Sequence, residues 1–312
     1  GKIMIVEIKD LTKKYKEITA LDGFDLEIKE GDRLALLGPN GCGKTTAINC
    51  MTGLLTFNSG SVKLFGEEMG PDKRHIKARI GLVPQEVVVS ENLTVRENID
   101  YFCGLYVKDR AKRRAMVDEA IRFTELKDYV KFFPKKLSGG LKRRLNIACG
   151  IAHRPDFLIL DEPTVAVDAQ TRSFILSEIK TLCEEGMTIL YTTHYLDEVE
   201  QVAEKIVIME RGKAIASGTA DELKNSISTK EIVSVRLLTD EDRTDAFETL
   251  PNLLSAVREK DKYKLSFHKG ENNLRRFIDF LSEKEWEYDE IYSERPSLED
   301  VFLSLTGRDL RE

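Results

Sequence analysis

Cysteine is scarce in this sequence, and its five cysteines include no Cys-x-x-Cys pair. An odd number without such a pair favours reduced thiols and a cytosolic setting. Long apolar runs are also missing, since the longest uncharged stretch, 45–62, is rich in Thr, Asn, Ser and Gly and is excluded as a membrane span. The first residues lack the basic, apolar and small-residue order of a signal peptide. If the protein acts at a membrane, we expect another polypeptide to supply the spans.

A basic excess is absent as well, because the formal net charge is −6 at pH 7. That balance argues against a nucleic-acid partner, since such proteins usually carry a surplus of Lys and Arg. The 41% hydrophobic and 33% charged residues are typical of a globular protein with a core. A chain of 312 residues is long enough for one large or two ordinary domains.

Short apolar runs that predict buried strands recur between amphipathic stretches in the first part of the chain. This alternation predicts an α/β domain with a mostly parallel sheet. Strand-like alternation over 3–15 and 24–32 predicts an added antiparallel layer. Residues 205–218 are typical of a hairpin that turns at Arg211–Gly212. The predicted core strands are 33–37, 79–83, 157–161 and 188–193.

Two regions depart from that pattern. Residues 91–155 predict a helical insertion, which opens with a capping box at Thr94–Glu97. The polar stretch 224–231 lacks periodicity and predicts a linker. Strand and helix patterns then follow in the order βαββαβ, which is typical of a small ferredoxin-like α+β domain. We therefore expect one domain over 1–225 and a second over 226–312.

The segment GPNGCGKTT, residues 38–46, lies between a predicted strand and a predicted helix. It matches the phosphate-loop pattern G-x-x-x-x-G-K-[ST], whose glycines let backbone N–H groups wrap around phosphate oxygens. Lys44 would reach the β- and γ-phosphates, and the Thr45 hydroxyl would bind Mg²⁺. The alternative is a glycine-rich turn with a chance lysine, but the full match and its context favour the phosphate loop. The candidate nucleotide-binding residues here are Gly38, Pro39, Asn40, Gly41, Cys42, Gly43, Lys44, Thr45 and Thr46.

Polar side chains follow three other predicted strands. Asp161 would support the magnesium shell, and the adjacent Glu162 could orient or deprotonate a water. The alternative is a strand end with solvated acids. His194 could contact the γ-phosphate and hold the water, although a lone histidine is more often structural. Gln85 could reach Mg²⁺ or the water with its amide; otherwise it is an ordinary loop residue.

A second phosphate-binding helix start is predicted at 135–145. Ser138 is a good N-cap, and Gly139 and Gly140 open a basic, helix-favouring run. The bare N–H groups at a helix N-terminus form an anion site. The chain thus has two such starts, and its own phosphate loop accounts for only one of them.

The phosphate loop, Gln85, LSGG (137–140), LILDEP (158–163) and His194 occur in the order and approximate spacing of ATP-binding-cassette (ABC) ATPases. The resemblance covers about residues 3–225. It implies the P-loop nucleotide-binding fold of that family, with ATP and Mg²⁺ as cofactors. The roles it implies are adenine stacking for Tyr15, phosphate and magnesium contacts for Lys44 and Thr45, magnesium sensing for Gln85, general-base catalysis for Glu162, switching for His194 and a dimer-spanning loop for Asp168.

In this family two cassettes pair head to tail. The resemblance therefore implies that Ser138, Gly139 and Gly140 bind the γ-phosphate of ATP held by a second copy of the chain. It also implies an integral-membrane permease on a separate chain, which would place this protein peripherally at the cytoplasmic face of the cell membrane. No nucleic acid is expected.

Two positions depart from the family pattern. Leu141 replaces the usual glutamine after LSGG, and 165–168 reads VAVD instead of small-Gly-Leu-Asp. We expect Leu141 to weaken local contacts without abolishing activity. The missing glycine bears on the conformation of the loop that ends at Asp168.

The tail SLEDVFLSLTG (297–307) is similar to that of ATPases serving two-component exporters of drugs, antibiotics, lipids, polysaccharides or sodium ions. The alternative to a transporter subunit is a soluble ABC ATPase that acts in translation or DNA maintenance. Three features disfavour it: the single cassette, the lack of a long coiled-coil insertion and the acidic net charge. A non-hydrolysing nucleotide switch is the second rival, and Glu162 argues against it. The small domain could regulate the ATPase, widen the dimer contact or serve packing alone.

Overall fold

The computed structural model describes residues 2–227, 230–270 and 272–307. The chain divides into two compact units between Ala220 and Asp221. No helix within the described ranges has the length and apolar character that a bilayer span needs.

The described residues of the first unit contain ten strands, seven α-helices and two short 3₁₀ helices, Lys127–Tyr129 and Pro134–Lys136. The strands are β1 (Met4–Tyr15), β2 (Ile18–Lys29), β3 (Arg33–Leu37), β4 (Ser59–Leu64), β5 (Glu67–Glu68), β6 (Ile80–Val83), β7 (Phe157–Leu160), β8 (Thr188–Thr193), β9 (Lys205–Glu210) and β10 (Lys213–Gly218). The helices are α1 (Lys44–Met51), α2 (Arg74–Lys77), α3 (Val95–Gly104), α4 (Arg110–Phe123), α5 (Gly139–Ile151), α6 (Ala169–Glu184) and α7 (Leu196–Val202).

The central sheet of this unit has the strand order β10-β9-β3-β8-β7-β6. All neighbouring pairs are parallel except β9 and β10, which form the predicted hairpin. The mostly parallel α/β sheet is therefore confirmed. Parallel strands deliver their carboxyl ends to one edge of the sheet, so the residues after β3, β6, β7 and β8 meet there.

A second, antiparallel sheet has the order β2-β1-β4-β5, which confirms the predicted antiparallel layer. Strands β4 and β5 were not predicted, because SGSVKL begins with small residues of low strand propensity and β5 has only two residues. Apolar residues of both sheets and of α1 share one buried cluster, which includes Phe24, Ile48 and Phe157. This packing holds the start of α1 against the edge of the parallel sheet.

Helices α3, α4 and α5 form the predicted helical insertion. The Thr94 hydroxyl accepts a hydrogen bond from Glu97 N–H while the Glu97 carboxylate accepts one from Thr94 N–H, so the predicted capping box is confirmed. Asn98 is fully buried, and its amide group binds both the N–H and the C=O of Ser90. These bonds fix the segment that leads from Gln85 into α3.

The described residues of the second unit contain four strands, three α-helices and one 3₁₀ helix. The strands and α-helices are α8 (Ala220–Ile227), β11 (Lys230–Leu237), β12 (Leu253–Glu259), β13 (Lys262–His268), α9 (Asn273–Glu283), β14 (Tyr288–Glu294) and α10 (Leu298–Thr306). The strands form one antiparallel sheet, whose order β12-β13-β11-β14 is that of the predicted ferredoxin-like domain. The predicted first helix is a short 3₁₀ helix, Thr244–Thr249, of which Phe247 alone is buried.

The polar stretch 224–231, which was predicted as a linker, forms regular secondary structure at the residues that the structure describes. Residues 224–227 end helix α8, and Lys230 begins strand β11; residues 228 and 229 lie outside the described residues. Helix α8 has only one buried side chain, Leu223, so its sequence carries a weak apolar signal. That is why polar composition alone misled the prediction.

Helix α6 carries a carboxyl group with an unusual pKa. Burial raises the pKa of Glu178 to about 7, and the nearby carboxylates of Glu125 and Glu185 add to this increase. The positive charge of Arg144 opposes it in part. Arg144 donates a hydrogen bond to Glu125 at 2.8 Å and stacks on Phe174. The neutral form of Glu178 is therefore favoured in the folded protein below about pH 7.

We expect Glu178→Gln to raise the melting temperature by a few degrees at pH 8 and to change it little at pH 5. Because the folded-state pKa lies above the ordinary value of 4.5, the contribution of this group is fully present below pH 4.5 and is lost as pH rises through about 7. The gain at pH 8 is about 1–2 kcal/mol after allowance for solvent screening. Thermal unfolding at both pH values tests this, with the exposed Glu204→Gln as control. A gain independent of pH would contradict it.

Candidate nucleotide-binding site

The phosphate loop connects β3 to α1 and is held tightly against neighbouring strands. Gly43 has φ +111°, and a Cβ there would lie 2.6 Å from the carbonyl oxygen of Ala20, so a larger residue would be both strained and in collision. Lys44 is buried, and its Nζ donates to the carbonyls of Gly38 at 2.6 Å and Pro39 at 3.0 Å. The loop thus places an ammonium group at the N-terminus of a helix, which suits an anion.

Cys42 is a buried member of this loop. Burial raises the pKa of its thiol, although Lys44 lowers it in part. The group is therefore a neutral thiol near pH 7, and it contributes a small side chain to the loop.

Asp161 and Glu162 follow β7 and are both buried. The Asp161 carboxylate accepts hydrogen bonds from the hydroxyls of Thr45 at 2.8 Å and Thr192 at 2.7 Å. Glu162 has one oxygen 3.2 Å from Lys44 Nζ. The two acids that follow one strand thus contact two successive residues at the start of α1.

Glu162 also contacts the predicted histidine. Its second carboxylate oxygen lies 2.9 Å from His194 Nδ1. The backbone of Glu162 is left-handed, with φ +46°, which turns the side chain away from the course of β7. The structure therefore brings together Lys44, Thr45, Asp161, Glu162 and His194, as the strand ends predicted.

Sequence reasoning missed Thr192. Its hydroxyl donates to Asp161 and also accepts from Glu162 N–H at 2.9 Å, so it orients both acids. A signal was present, because TILYTT is buried throughout and a buried hydroxyl needs a hydrogen-bond partner.

A cleft of about 410 Å³ runs along the phosphate loop. It contains residues 40–46, Gln85 and Glu162, and its wall is formed by β2 and by the β9–β10 turn. Tyr15 is half-exposed at the end of β1, where it pairs with Ile18, a lining residue of the cleft. Lys13 Nζ lies 5.0 Å from the centre of the Tyr15 ring. Tyr15 itself is not among the described residues that line the cleft, so its stacking on adenine stays a prediction.

The second predicted helix start is also present. Ser138 caps α5, and its Oγ accepts a hydrogen bond from Leu141 N–H at 3.2 Å. None of residues 138–140 lies among the described residues that line the phosphate-loop cleft. Because the Leu141 backbone makes the cap, its side chain is free to differ from glutamine.

Gly140 packs against the loop that ends at Asp168. A Cβ on Gly140 would lie 2.3 Å from Thr171 Oγ1 and 3.2 Å from Asp168 Oδ2, whereas a Cβ on Gly139 would meet nothing within 4 Å. Asp168 caps α6 by accepting hydrogen bonds from Thr171 N–H and Oγ1, and these bonds lower the pKa of its carboxyl. In the same loop, Ala166 adopts φ +58° although it is not glycine. Ala166 therefore adopts, with some strain, the left-handed backbone conformation that glycine adopts easily.

Comparison with known proteins identifies two families. The ABC transporter family matches residues 21–165, and the C-terminal domain of DrrA1-3-like ATP-binding proteins matches 218–306. The linearmycin resistance ATP-binding protein LnrL of Bacillus subtilis (strain 168) is 32% identical, with 99% of this chain and 100% of the relative covered. The Nod factor export ATP-binding protein I of Paraburkholderia xenovorans (strain LB400) is 33% identical, with 98% of each covered.

Solved structures of ATP-binding cassettes are similar to most of the chain. The dimeric structure of a post-hydrolysis state of the ATP-binding cassette MJ0796 bound to ADP and Pi is 28% identical, with a TM-score of 0.64 over 69% of this chain and 98% of that one. Together with full-length relatives above 30% identity, it shows that the chain belongs to the ABC transporter family, as one of its ATP-binding proteins.

Proposed function

We propose that this chain is the ATP-hydrolysing subunit of an ABC exporter and acts as a head-to-tail dimer on a separate membrane permease. The observation that carries the proposal is the buried Glu162, which contacts Lys44 on one side and His194 on the other. Relatives named for resistance and for export support the transport direction.

In the proposed reaction the phosphates of ATP take the place of the carbonyls as partners of Lys44. Its ammonium and the N–H groups at the start of α1 then stabilise charge on the γ-phosphate. Glu162 accepts the proton of the attacking water, and His194 holds Glu162 and the γ-phosphate in register. Tyr15 stacks on the adenine ring.

Mg²⁺ fits the oxygen donors beside the phosphate loop. Thr45 and Asp161 share a 2.8 Å hydrogen bond, and Gln85 lines the same cleft. The described residues contain no cluster of three or more His, Cys, Asp or Glu side chains that could hold a metal, which suits an ion that is bound partly by phosphates and water. When bound, Mg²⁺ supplies charge neutralisation on the β- and γ-phosphates.

The second helix start completes the site of another copy. Ser138, Gly139 and Gly140 would bind the γ-phosphate of ATP held by the partner, so ATP joins two chains and its hydrolysis releases them. Binding of ATP thus shifts the population from open to closed dimers. Asp168 contributes the loop that crosses between the two copies.

An apolar groove of about 300 Å³ is proposed as the place where the permease docks. It lies between the central sheet and the helical insertion and is lined by residues that include Leu54, Val88, Phe102 and Leu105. Leu54 is 61% exposed and Val88 54%. Val88 also belongs to the segment after Gln85, so a permease seated there would sense the nucleotide cleft.

The decisive experiment is a pull-down of tagged protein from gently solubilised native membranes, with every co-purifying polypeptide identified. A stoichiometric multi-span protein would support the transporter subunit and its peripheral place at the cytoplasmic face of the membrane. Ribosomal or DNA-bound partners without a membrane protein would instead support the rival soluble ABC ATPase.

Leu54→Asp is expected to abolish permease capture, because it places a charge in the apolar groove. ATP-driven dimerisation should be retained, since Leu54 lies outside the phosphate-loop cleft. Ile3→Asp is the matched control, because Ile3 is 62% exposed and lies outside the groove. Equal capture by both variants in the pull-down would place the docking surface elsewhere.

A further inference from the structure

Glu198 is a fully buried carboxylate in α7, four residues after His194. One of its oxygens accepts a hydrogen bond from Arg172 Nε at 2.7 Å, and the other accepts one from Thr193 Oγ1 at 3.1 Å. A buried carboxylate is costly unless it is paired and hydrogen-bonded. The pair therefore fixes the position of Thr193, the residue directly before His194.

Arg172 also reaches the residue directly after His194. Its guanidinium lies over the Tyr195 ring, 4.9 Å from the ring centre, and the Tyr195 and His194 rings are 4.1 Å apart. Tyr195 N–H in turn donates to Thr193 Oγ1 at 2.9 Å. Arg172 on α6 thus contacts Tyr195 directly and is linked to Thr193 through Glu198, so it supports the residues on both sides of His194.

We propose that Arg172 and Glu198 are positioning residues for ATP hydrolysis, which hold the His194 ring where its Nδ1 meets Glu162. The proposal rests on the proposed ATPase mechanism. Neither side chain lies among the described residues that line the phosphate-loop cleft, so they act through His194. A small displacement of a catalytic group lowers the rate of the chemical step more than it lowers substrate affinity.

The first test is Arg172→Ala in the full chain. We expect kcat for ATP hydrolysis to fall on the order of 10- to 100-fold with KM and nucleotide affinity little changed. Arg172→Lys should recover only part of the loss, because lysine keeps the charge but not the planar fork that pairs and stacks. Asp197→Asn is the control: Asp197 accepts from Arg172 Nη2 but is 65% exposed, so its loss should cost little.

The second test distinguishes positioning from general support of α7. If Arg172 acts through His194, then Arg172→Ala should cause no further loss of single-turnover phosphate release in a His194→Ala background. An equal fold-loss in both backgrounds, or an unchanged kcat for Arg172→Ala, would overturn the proposal.

A second variant covers the case in which the first one does not fold. If Arg172→Ala does not fold, Glu198→Gln keeps the side-chain size and should give the same pattern in the His194→Ala cycle; additivity there would overturn the proposal equally. If the unmodified chain does not hydrolyse ATP, the proposed function itself is contradicted. That result differs from a failure of the positioning proposal, in which the unmodified chain is active.

Discussion

Glu162→Gln is expected to lower ATP hydrolysis by about 10²- to 10⁴-fold and to leave ATP binding intact. Glutamine has the shape of glutamate but cannot accept the proton of the attacking water. The variant loses the negative charge beside Lys44, 3.2 Å away, so the ammonium becomes a better partner for phosphate. ATP should therefore persist in the site and hold two chains together.

Phosphate release and light scattering on a sizing column, each with and without ATP and Mg²⁺, measure the two effects. The control is Glu204→Gln, because Glu204 is an exposed acid and neither it nor its partner Arg33 is among the described residues that line the phosphate-loop cleft. It should behave as the unmodified protein does. A Glu162→Gln variant that stays monomeric in saturating ATP would refute the proposed closure.

Gly139→Asp is expected to weaken ATP-dependent dimerisation on the order of 100-fold, about 3 kcal/mol, while the isolated chain keeps its stability. A Cβ on Gly139 meets nothing within 4 Å, so the substitution fits its own chain. A carboxylate in the first turn of α5 also interacts favourably with the helix dipole. The same charge would face the γ-phosphate of the partner, where it repels.

The measurement is dimer formation in the Glu162→Gln background, together with thermal unfolding and ATP affinity of the monomer. Gly139→Ala supplies the uncharged control and should dimerise much better than the aspartate variant. Gly140 is not a suitable position for the same substitution, because any side chain there would collide with Thr171 of its own chain. Undiminished dimerisation of Gly139→Asp would mean that this helix start does not meet the partner's ATP.

Local signals in the sequence were sufficient for much of the site. Ser138 and Thr94 were recognised as caps because a cap depends only on neighbours within one turn. Glu162 and His194 were placed together because parallel strands end at one edge. The contacts of Thr192 and of Arg172 with Glu198 were not predicted, since they join residues far apart in the chain and follow no spacing rule.

Much of the fold could also be predicted from the sequence. The hydrophobic periods predicted the four core strands of the first unit and the βαββαβ succession of the second, and the observed sheet order of the second unit is that of a ferredoxin-like domain. They failed where packing outweighs pattern: at Thr244–Thr249 the burial of Phe247 alone supports a single 3₁₀ segment, and at α8 a polar surface conceals a helix. Strand β4 is stabilised by its pairing with β1 rather than by its own composition.

The separation of the nucleotide cleft from the start of α5 has a kinetic consequence. Residues 138–140 are not among the described residues that line the cleft of their own chain, so under the proposed mechanism a single copy would have an incomplete site. At low concentration the hydrolysis rate of the free protein should therefore rise with the square of its concentration. A permease that holds two copies raises their effective concentration to about the millimolar range. Free chains would then consume little ATP, and turnover would be confined to assembled transporters.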